Sequence, residues 1–308
     1  MKKITVLIPC YNEEDSLPLL WNELKKLADD NRTYQWQFLF VNDGSTDNTL
    51  DIICNFRAED ERACFIDLSR NFGKEAAMLA GFDNADGDCV VIMDADLQHP
   101  VSVIPEMVMY WEQGYDDVYG KRKERGKESW LRKKLSLGFY KFLADTSDIN
   151  ILQNVGDFRL LDRKCIEALK ALRESERYTK GLYSWIGFKK KEITFEQQDR
   201  LAGRSSMGSR NLTNLAINAI TAHSTAPIKF MTVFGLFVSL AAVVYLLFII
   251  CRTMLYGDPV KGFPTLVVII LFLGGIQIMC FGIIGEYIGR IFNETKNRPV
   301  YFVKRVEK

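Results

Sequence analysis

The chain has 308 residues and a mass of 35.4 kDa, with 40 basic side chains against 39 acidic ones and a formal net charge of +1. That length allows one large domain or two ordinary ones, and the charge balance gives no global reason to expect nucleic acid as a partner. Apolar residues at 48% and charged residues at 26% exclude a disordered chain, a collagen-like repeat and a small disulfide scaffold. Those averages hide a partition. Val233–Cys251 and Phe263–Gly285 carry no charge, and each can cross a bilayer, which takes about 20 apolar residues. The seven cysteines form no CxxC pair, which predicts buried thiols in a reducing compartment. The start, MKKITVLIPCYNEE, lacks the long apolar core and cleavage site of a signal peptide, so the large domain is expected to stay in the cytoplasm.

In chain order, Ile4–Ile8 is a β-branched and aliphatic run predicted to be a buried strand. Asp15–Leu27 carries Leu17, Leu20, Leu24 and Leu27 at helical spacing. Phe38–Val41 predicts a second strand, stopped by NDGSTDNT, where Thr46 or Asp47 can cap a helix running through Phe56. Ala63–Asp67 predicts a third strand, Gly73–Phe82 a compact helix, Cys89–Met93 a fourth strand and Val101–Trp111 another helix. Strands alternating with helices through short links predict an α/β fold with a mostly parallel sheet covered on both faces. Such sheets bind ligands at the carboxyl ends of their strands. The polar residues there are Asn12, Glu13, Asp43, Asp67, Asp94 and Asp96. No GxGxxG or GxxxxGK[ST] run occurs, so neither a Rossmann fingerprint nor a P-loop is present.

Asp94–Ala95–Asp96 follows VVIM directly. Two carboxylates at one strand end can turn toward one hard cation, Mg²⁺ or Mn²⁺, which keeps one or two protein carboxylates and takes its other oxygens from water and phosphate. The same pair could simply cap the turn before Pro100. Asp43 beside Gly44 could accept hydrogen bonds from a base or ribose, or be an ordinary strand-to-helix turn. His99 and His223 are far apart and no cysteine cluster joins them, so no zinc site is expected. His99 could contact a phosphate or bond its own turn. The basic run Lys121, Arg122, Lys123, Arg125, Lys127, Arg132, Lys133 and Lys134 suits either a solvated face or an anionic headgroup.

IPCYNEE at 8–14, VNDGSTDNT at 41–49, SRNFGKEAAMLAGF at 69–82 and DADLQHP at 94–100 together resemble the inverting family 2 glycosyltransferases. With GDFRLLDR at 156–163 and two C-terminal membrane helices, the chain resembles the polyprenyl-phosphate enzymes, the GtrB-type bactoprenol glucosyltransferases, and is similar to dolichol-phosphate mannose synthases. The resemblance implies a GT-A-like domain over 1–210, a juxtamembrane amphipathic segment over 211–229, a transmembrane hairpin over 230–285 and a cytoplasmic tail over 286–308. It implies that Pro9, Tyr11, Asn12 and Glu13 line the nucleotide pocket and that Asp43 holds the uracil or ribose. Asp94 would lie near the ribose and sugar, Asp96 would bind Mg²⁺ or Mn²⁺ on the diphosphate, and Gln98 would sit by sugar and metal. Arg122 would reach toward phosphate. Asp157 matches the carboxylate often proposed as catalytic base. Arg200, Arg204 and Ser205 fall in the segment that grips acceptor and diphosphate. There the family's Gly-x-Thr/Ser-Lys-Tyr run reads Gly203–Arg204–Ser205–Ser206–Met207, which leaves Arg204 or Arg210 to supply the missing cation.

The reaction so implied moves a hexose, glucose from UDP-glucose, onto undecaprenyl phosphate with inversion. A phosphate monoester has a second pKa of about 6 and is largely dianionic at neutral pH. It scarcely needs a base, so Asp157 is expected to orient a metal, an arginine or the sugar. GDP-mannose or another UDP-sugar is the alternative donor. A processive polysaccharide synthase is disfavoured by the two spans and the lack of a QxxRW-like run, and a non-catalytic scaffold by retention of Asp43, Asp94, Asp96 and Asp157.

Ser129–Ala144 and Leu212–His223 read as amphipathic helices suited to core packing or to the bilayer surface. Lys229, Arg290, Lys296, Arg298, Lys304 and Arg305 flank the spans and predict both termini in the cytoplasm of a bacterial inner membrane. Gly274, Gly275, Gly282, Gly285 and Gly289 allow close helix contact within one chain or between copies, which leaves a homo-oligomer open. Glu286 and Arg290, four apart, are expected to pair.

Overall fold

The computed structural model describes residues 1–123, 155–175, 177–196, 226–256 and 262–308. The first half follows the expected alternation: β1 (Lys3–Cys10), α1 (Leu17–Asp30), β2 (Gln35–Asn42), α2 (Thr49–Glu59), β3 (Ala63–Leu68), α3 (Lys74–Asn84), β4 (Cys89–Ile92), a 3-10 turn (Val101–Val103) and α4 (Ile104–Glu112). The other described elements are β5 (Asp117–Arg122), β6 (Val155–Asp162), α5 (Arg163–Ala171), α6 (Thr179–Trp185), β7 (Lys190–Phe195), α7 (Ala226–Tyr256), α8 (Phe263–Thr295) and β8 (Val303–Glu307). The amphipathic stretches 129–144 and 212–223 lie outside the described residues.

The strands form one sheet in the order β7-β5-β6-β4-β1-β2-β3-β8. Its centre, β4-β1-β2-β3, is parallel, while β6 and β8 enter antiparallel on either side. Side chains alternate across a strand, and that period builds two cores. Ile4, Val6, Ile8, Phe38, Phe40 and Val91 face α1, α2 and α4. Leu7, Leu39, Val41, Val90 and Ile92 face α3 and α5. In α1 the buried Leu17, Leu20, Trp21, Leu24, Leu27 and Ala28 form one apolar stripe, and Trp21 stacks on Phe56 at 5.1 Å. The helix stops where the Asn31 side-chain amide donates to the Leu27 carbonyl at 2.8 Å.

The C-terminal boundary differs from the expected tail. α8 runs through the Glu286–Arg290 pair, 3.2 Å apart, to Thr295, and the chain then returns to add β8 to the sheet. The open edge of β3 explains the return. Leu68 through Phe65 pair with Val303 through Glu307, and the exposed Lys304 and Arg305 blunt the new edge.

α7 and α8 contain 31 and 33 residues. At 1.5 Å per residue each is roughly 45–50 Å long, more than the ~30 Å of a bilayer's hydrocarbon. Among the described residues, the helical stretch Phe272–Thr295 is long and apolar enough to cross a membrane. Phe237, Leu240 and Phe248 on α7, and Phe272, Ile278 and Phe281 on α8, are exposed.

Candidate active site

Parallel pairing in register brings the carboxyl ends of β1, β2 and β4 side by side: Cys10 lies opposite Asn42 and Leu7 opposite Ile92. The segments that leave these strands therefore meet at one edge. They enclose a cavity of about 280 Å³, lined among others by Pro9, Tyr11, Glu13, Asp43, Lys74, Asp94 and Asp96. Among the described residues that line it, four are carboxylates and Lys74 is the one cation.

The loop after β2 is braced by the loop after β1. Asn12, held at φ 55°, accepts from the Thr46 amide at 2.8 Å, and the Glu13 amide donates to Thr49 Oγ1 at 2.8 Å. The Asp43 carboxylate is buried and accepts from the Phe72 and Gly73 amides at 2.7 and 2.9 Å. Burial pushes its carboxyl up, and those two amides pull it back only in part. Asp43 thereby fixes the start of α3 as well as facing the cavity. Gly44 permits this closeness. It sits at φ +64°, and a Cβ there would lie 2.4 Å from the Arg70 carbonyl carbon. Gly73, at φ +94°, has open space around its Cβ position. Gly44→Ala is therefore expected to cost more than Gly73→Ala, which carries only backbone strain of about 1–3 kcal/mol. Thermal unfolding and nucleotide binding of the two variants check this order, and equal losses would contradict it.

α3 begins at Lys74 and delivers its ammonium between two carboxylates. Lys74 Nζ lies 2.5 Å from Asp94 Oδ1 and 3.0 Å from Asp157 Oδ2. Burial opposes all three charges, but their mutual attraction outweighs it. Lys74 is pushed up, Asp94 is held low, and Asp157, with Lys180 and Arg159 also near, is held at about 2. A depressed carboxylate contributes stability that is present above its unfolded pKa of about 3.9 and is lost as pH falls toward the folded value. Asp157 thus stays ionised throughout the neutral range. The neighbouring arginines are engaged elsewhere: Arg159 pairs with the buried Asp117 at 3.0 Å and stacks on Tyr183 at 3.6 Å, while Arg163 turns to Glu167 and the carbonyls of Ala85 and Gly87.

Asp94 and Asp96 share the strand end, with the Gln98 amide donating to Asp96 Oδ1 at 3.2 Å. His99 is buried against Phe158 with ring centroids 4.8 Å apart, and its Nδ1 accepts from the Asp94 amide at 3.3 Å. Burial lowers its pKa, so His99 serves the turn as a neutral ring. Arg122 ends β5 beside Gly156, and Lys121 and Lys123 pair with Glu192 and Glu196. Arg200, Arg204 and Ser205 lie outside the described residues.

The donor set fits a hard cation. It is oxygen only, two carboxylates one residue apart, and no group of three or more His, Cys, Asp or Glu suited to a metal occurs among the described residues. Mg²⁺ and Mn²⁺ accept such a sparse protein set when phosphate oxygens complete it. Lys74 was not singled out from the sequence. Its signal was its place just beyond the third strand, where this fold class gathers its ligands.

The comparisons with known proteins agree with this geometry. Glycosyl transferase family 2 matches residues 5–170, and the GtrB C-terminal hairpin matches residues 226–291. A prophage bactoprenol glucosyl transferase homolog of Escherichia coli K12 is 40% identical over 306 residues, 99% of this chain and 100% of that protein. The SfII prophage-derived bactoprenol glucosyl transferase of Shigella flexneri is 40% identical over 303 residues, 98% of each. A crystal structure of glucosyl-3-phosphoglycerate synthase from Mycobacterium tuberculosis with Mn²⁺, UDP and phosphoglyceric acid gives a TM-score of 0.51 at 18% identity. The match covers 71% of this chain and 76% of that one, a likeness of fold. With the sheet, the carboxylate-lined cavity at its edge and the hairpin all accounted for, the chain belongs to glycosyl transferase family 2 and carries the GtrB-type C-terminal hairpin.

Proposed function

We propose that this enzyme transfers glucose from UDP-glucose to undecaprenyl phosphate, inverting the anomeric carbon, at the cytoplasmic face of a bacterial inner membrane. The observation that carries the proposal is the end-to-end identity, hairpin included, to proteins named as bactoprenol glucosyl transferases. The cavity supports it. A phosphate oxygen of the lipid forms the new bond to the anomeric carbon, and the bond from that carbon to the UDP oxygen breaks. UDP departs with the electron pair. Asp96, with Asp94 beside it, would hold Mg²⁺ or Mn²⁺ against the donor's diphosphate. When bound, that cation neutralises charge on the leaving group. Pro9, Tyr11, Asn12, Glu13 and Asp43 would border the nucleoside, and Gln98 and Arg122 the sugar and phosphates. Arg200, Arg204 and Ser205 would grip the acceptor side.

Asp157 positions rather than deprotonates. A carboxylate held at about 2 by Lys74 is a weak base, and the acceptor, with a second pKa of about 6, needs none. Asp157→Asn is expected to lower kcat by roughly tenfold or more and leave the acidic limb of the rate profile where the acceptor's titration puts it. Disappearance of that limb in the variant would return Asp157 to the role of base.

β8 supports the topology. Residues on both sides of the 226–295 helices pair within one sheet, which supports an even number of membrane crossings between them. A hairpin with both termini cytoplasmic satisfies that, and an oligomer through its glycines is compatible with it. The donor is tested by presenting UDP-glucose, UDP-galactose, UDP-GlcNAc and GDP-mannose separately with Mg²⁺ or Mn²⁺ and undecaprenyl phosphate. UDP-glucose is expected to give the highest kcat/KM. Preference for GDP-mannose would move the assignment to mannosyl transfer.

A further inference from the structure

The chain that leaves the membrane helix does more than close a sheet edge. Tyr301 OH donates to Asp83 Oδ2 at 2.5 Å, at the far end of α3. The Ser69 amide donates to the Phe302 carbonyl at 2.9 Å. The Phe302 ring meets the Phe72 ring at 6.4 Å, and the Arg70 guanidinium lies over the Phe72 ring at 4.0 Å. Ser69–Gly73 is thus held between Phe302 and the Asp43–Gly44 turn. Asn71, Gly73 and Lys74, at its end, line the cavity, and Phe72 supplies one of the two amides on Asp43.

We propose that Phe302 is a positioning residue for the nucleotide-sugar donor, acting through Phe72 on the Asp43 carboxylate and the Lys74 end of α3. Resting on the glycosyl-transfer reading above, this makes donor affinity depend on a residue just beyond the membrane helix that touches no substrate. Aromatic pairs contribute modestly, and Phe302 is 57% exposed, so its loss perturbs the pocket without unfolding the domain.

The test uses the full chain in lipid nanodiscs with Mn²⁺ and measures binding of UDP and of GDP by calorimetry, with the KM for the sugar nucleotide and the kcat on lipid phosphate. Phe302→Ala is expected to weaken the bound nucleotide and raise donor KM about fivefold, with kcat changed by less than about twofold. Phe302→Tyr is expected to restore wild-type affinity. Val306→Ala, which shortens an exposed apolar residue of β8, the strand that follows Phe302, is expected to leave affinity unchanged. Unchanged affinity in Phe302→Ala would overturn the proposal, as would equal losses in Phe302→Ala and Val306→Ala, since those report only on strand docking. Wild-type preference for GDP would fail the UDP assignment alone, and the same comparison of variants would then be read on GDP.

Discussion

Asp96→Ala is expected to lower metal-dependent transfer by at least about 100-fold, the roughly 3 kcal/mol scale of a charge contact made in the transition state. The reason lies in the cavity's composition. Among the described residues, Glu13, Asp43, Asp94 and Asp96 line it with one ammonium, and that ammonium is shared by Asp94 and Asp157. Such a field favours a nucleotide diphosphate that arrives with a cation, and Asp96 stands at the strand end beside Asp94, where that cation would meet two carboxylates. The core beneath comes from β4 and its neighbours, Val90, Val91 and Ile92, which the substitution leaves alone. Membrane insertion and the unfolding midpoint should therefore stay near wild type while activity falls. Unchanged turnover with unchanged Mn²⁺ dependence would remove Asp96 from the metal site.

The largest effect on stability is expected from Asp117→Ala. Asp117 is fully buried and the Arg159 side chain is 3% exposed, so the variant strands a guanidinium inside the protein. Breaking one partner of a buried pair costs about 3–5 kcal/mol. Arg159 lies two residues from Asp157 on β6, on the same face of the strand, and the Asp157 carboxylate should shift with it. A double replacement, Asp117→Leu with Arg159→Met, should recover much of the stability, because no buried charge is left unpaired. Urea denaturation of the single and double variants measures this. A single variant within 1 kcal/mol of wild type, on the scale of an exposed pair, would contradict it.

The parallel centre of the sheet was legible because buried parallel strands are short apolar runs ended by polar residues, as in Ile4–Ile8 and Cys89–Met93. The same pattern pointed to Asn12, Glu13, Asp43, Asp67, Asp94 and Asp96; Glu13, Asp43, Asp94 and Asp96 line one cavity with Pro9 and Tyr11, which the family resemblance supplied, while Asn12 accepts from the Thr46 amide and Asp67 from the Asn42 side chain. Two features were not legible. Lys74 sits in a helical repeat rich in alanine, where a lysine reads as a solvated first turn; only the fold brings Asp157 to it, across 83 positions of sequence, as the 3.0 Å contact shows. β8 escaped notice because VKRVE is short and charged, and an edge strand needs only one partner, β3, to form. The helix after VNDGSTDNT also starts later than expected, at Thr49, since the Asp47 carboxylate accepts from the Thr49 amide and Asn48 occupies the cap position.

The proposed reaction places a hexose on a lipid phosphate. Mass spectrometry of the lipid fraction, after incubation of the purified full chain with UDP-glucose, undecaprenyl phosphate and Mn²⁺, tests it most directly. The expected product is a lipid heavier by one hexose on one phosphate, formed in step with UDP release. Free glucose or a growing glycan, with the lipid phosphate left unmodified, would contradict it.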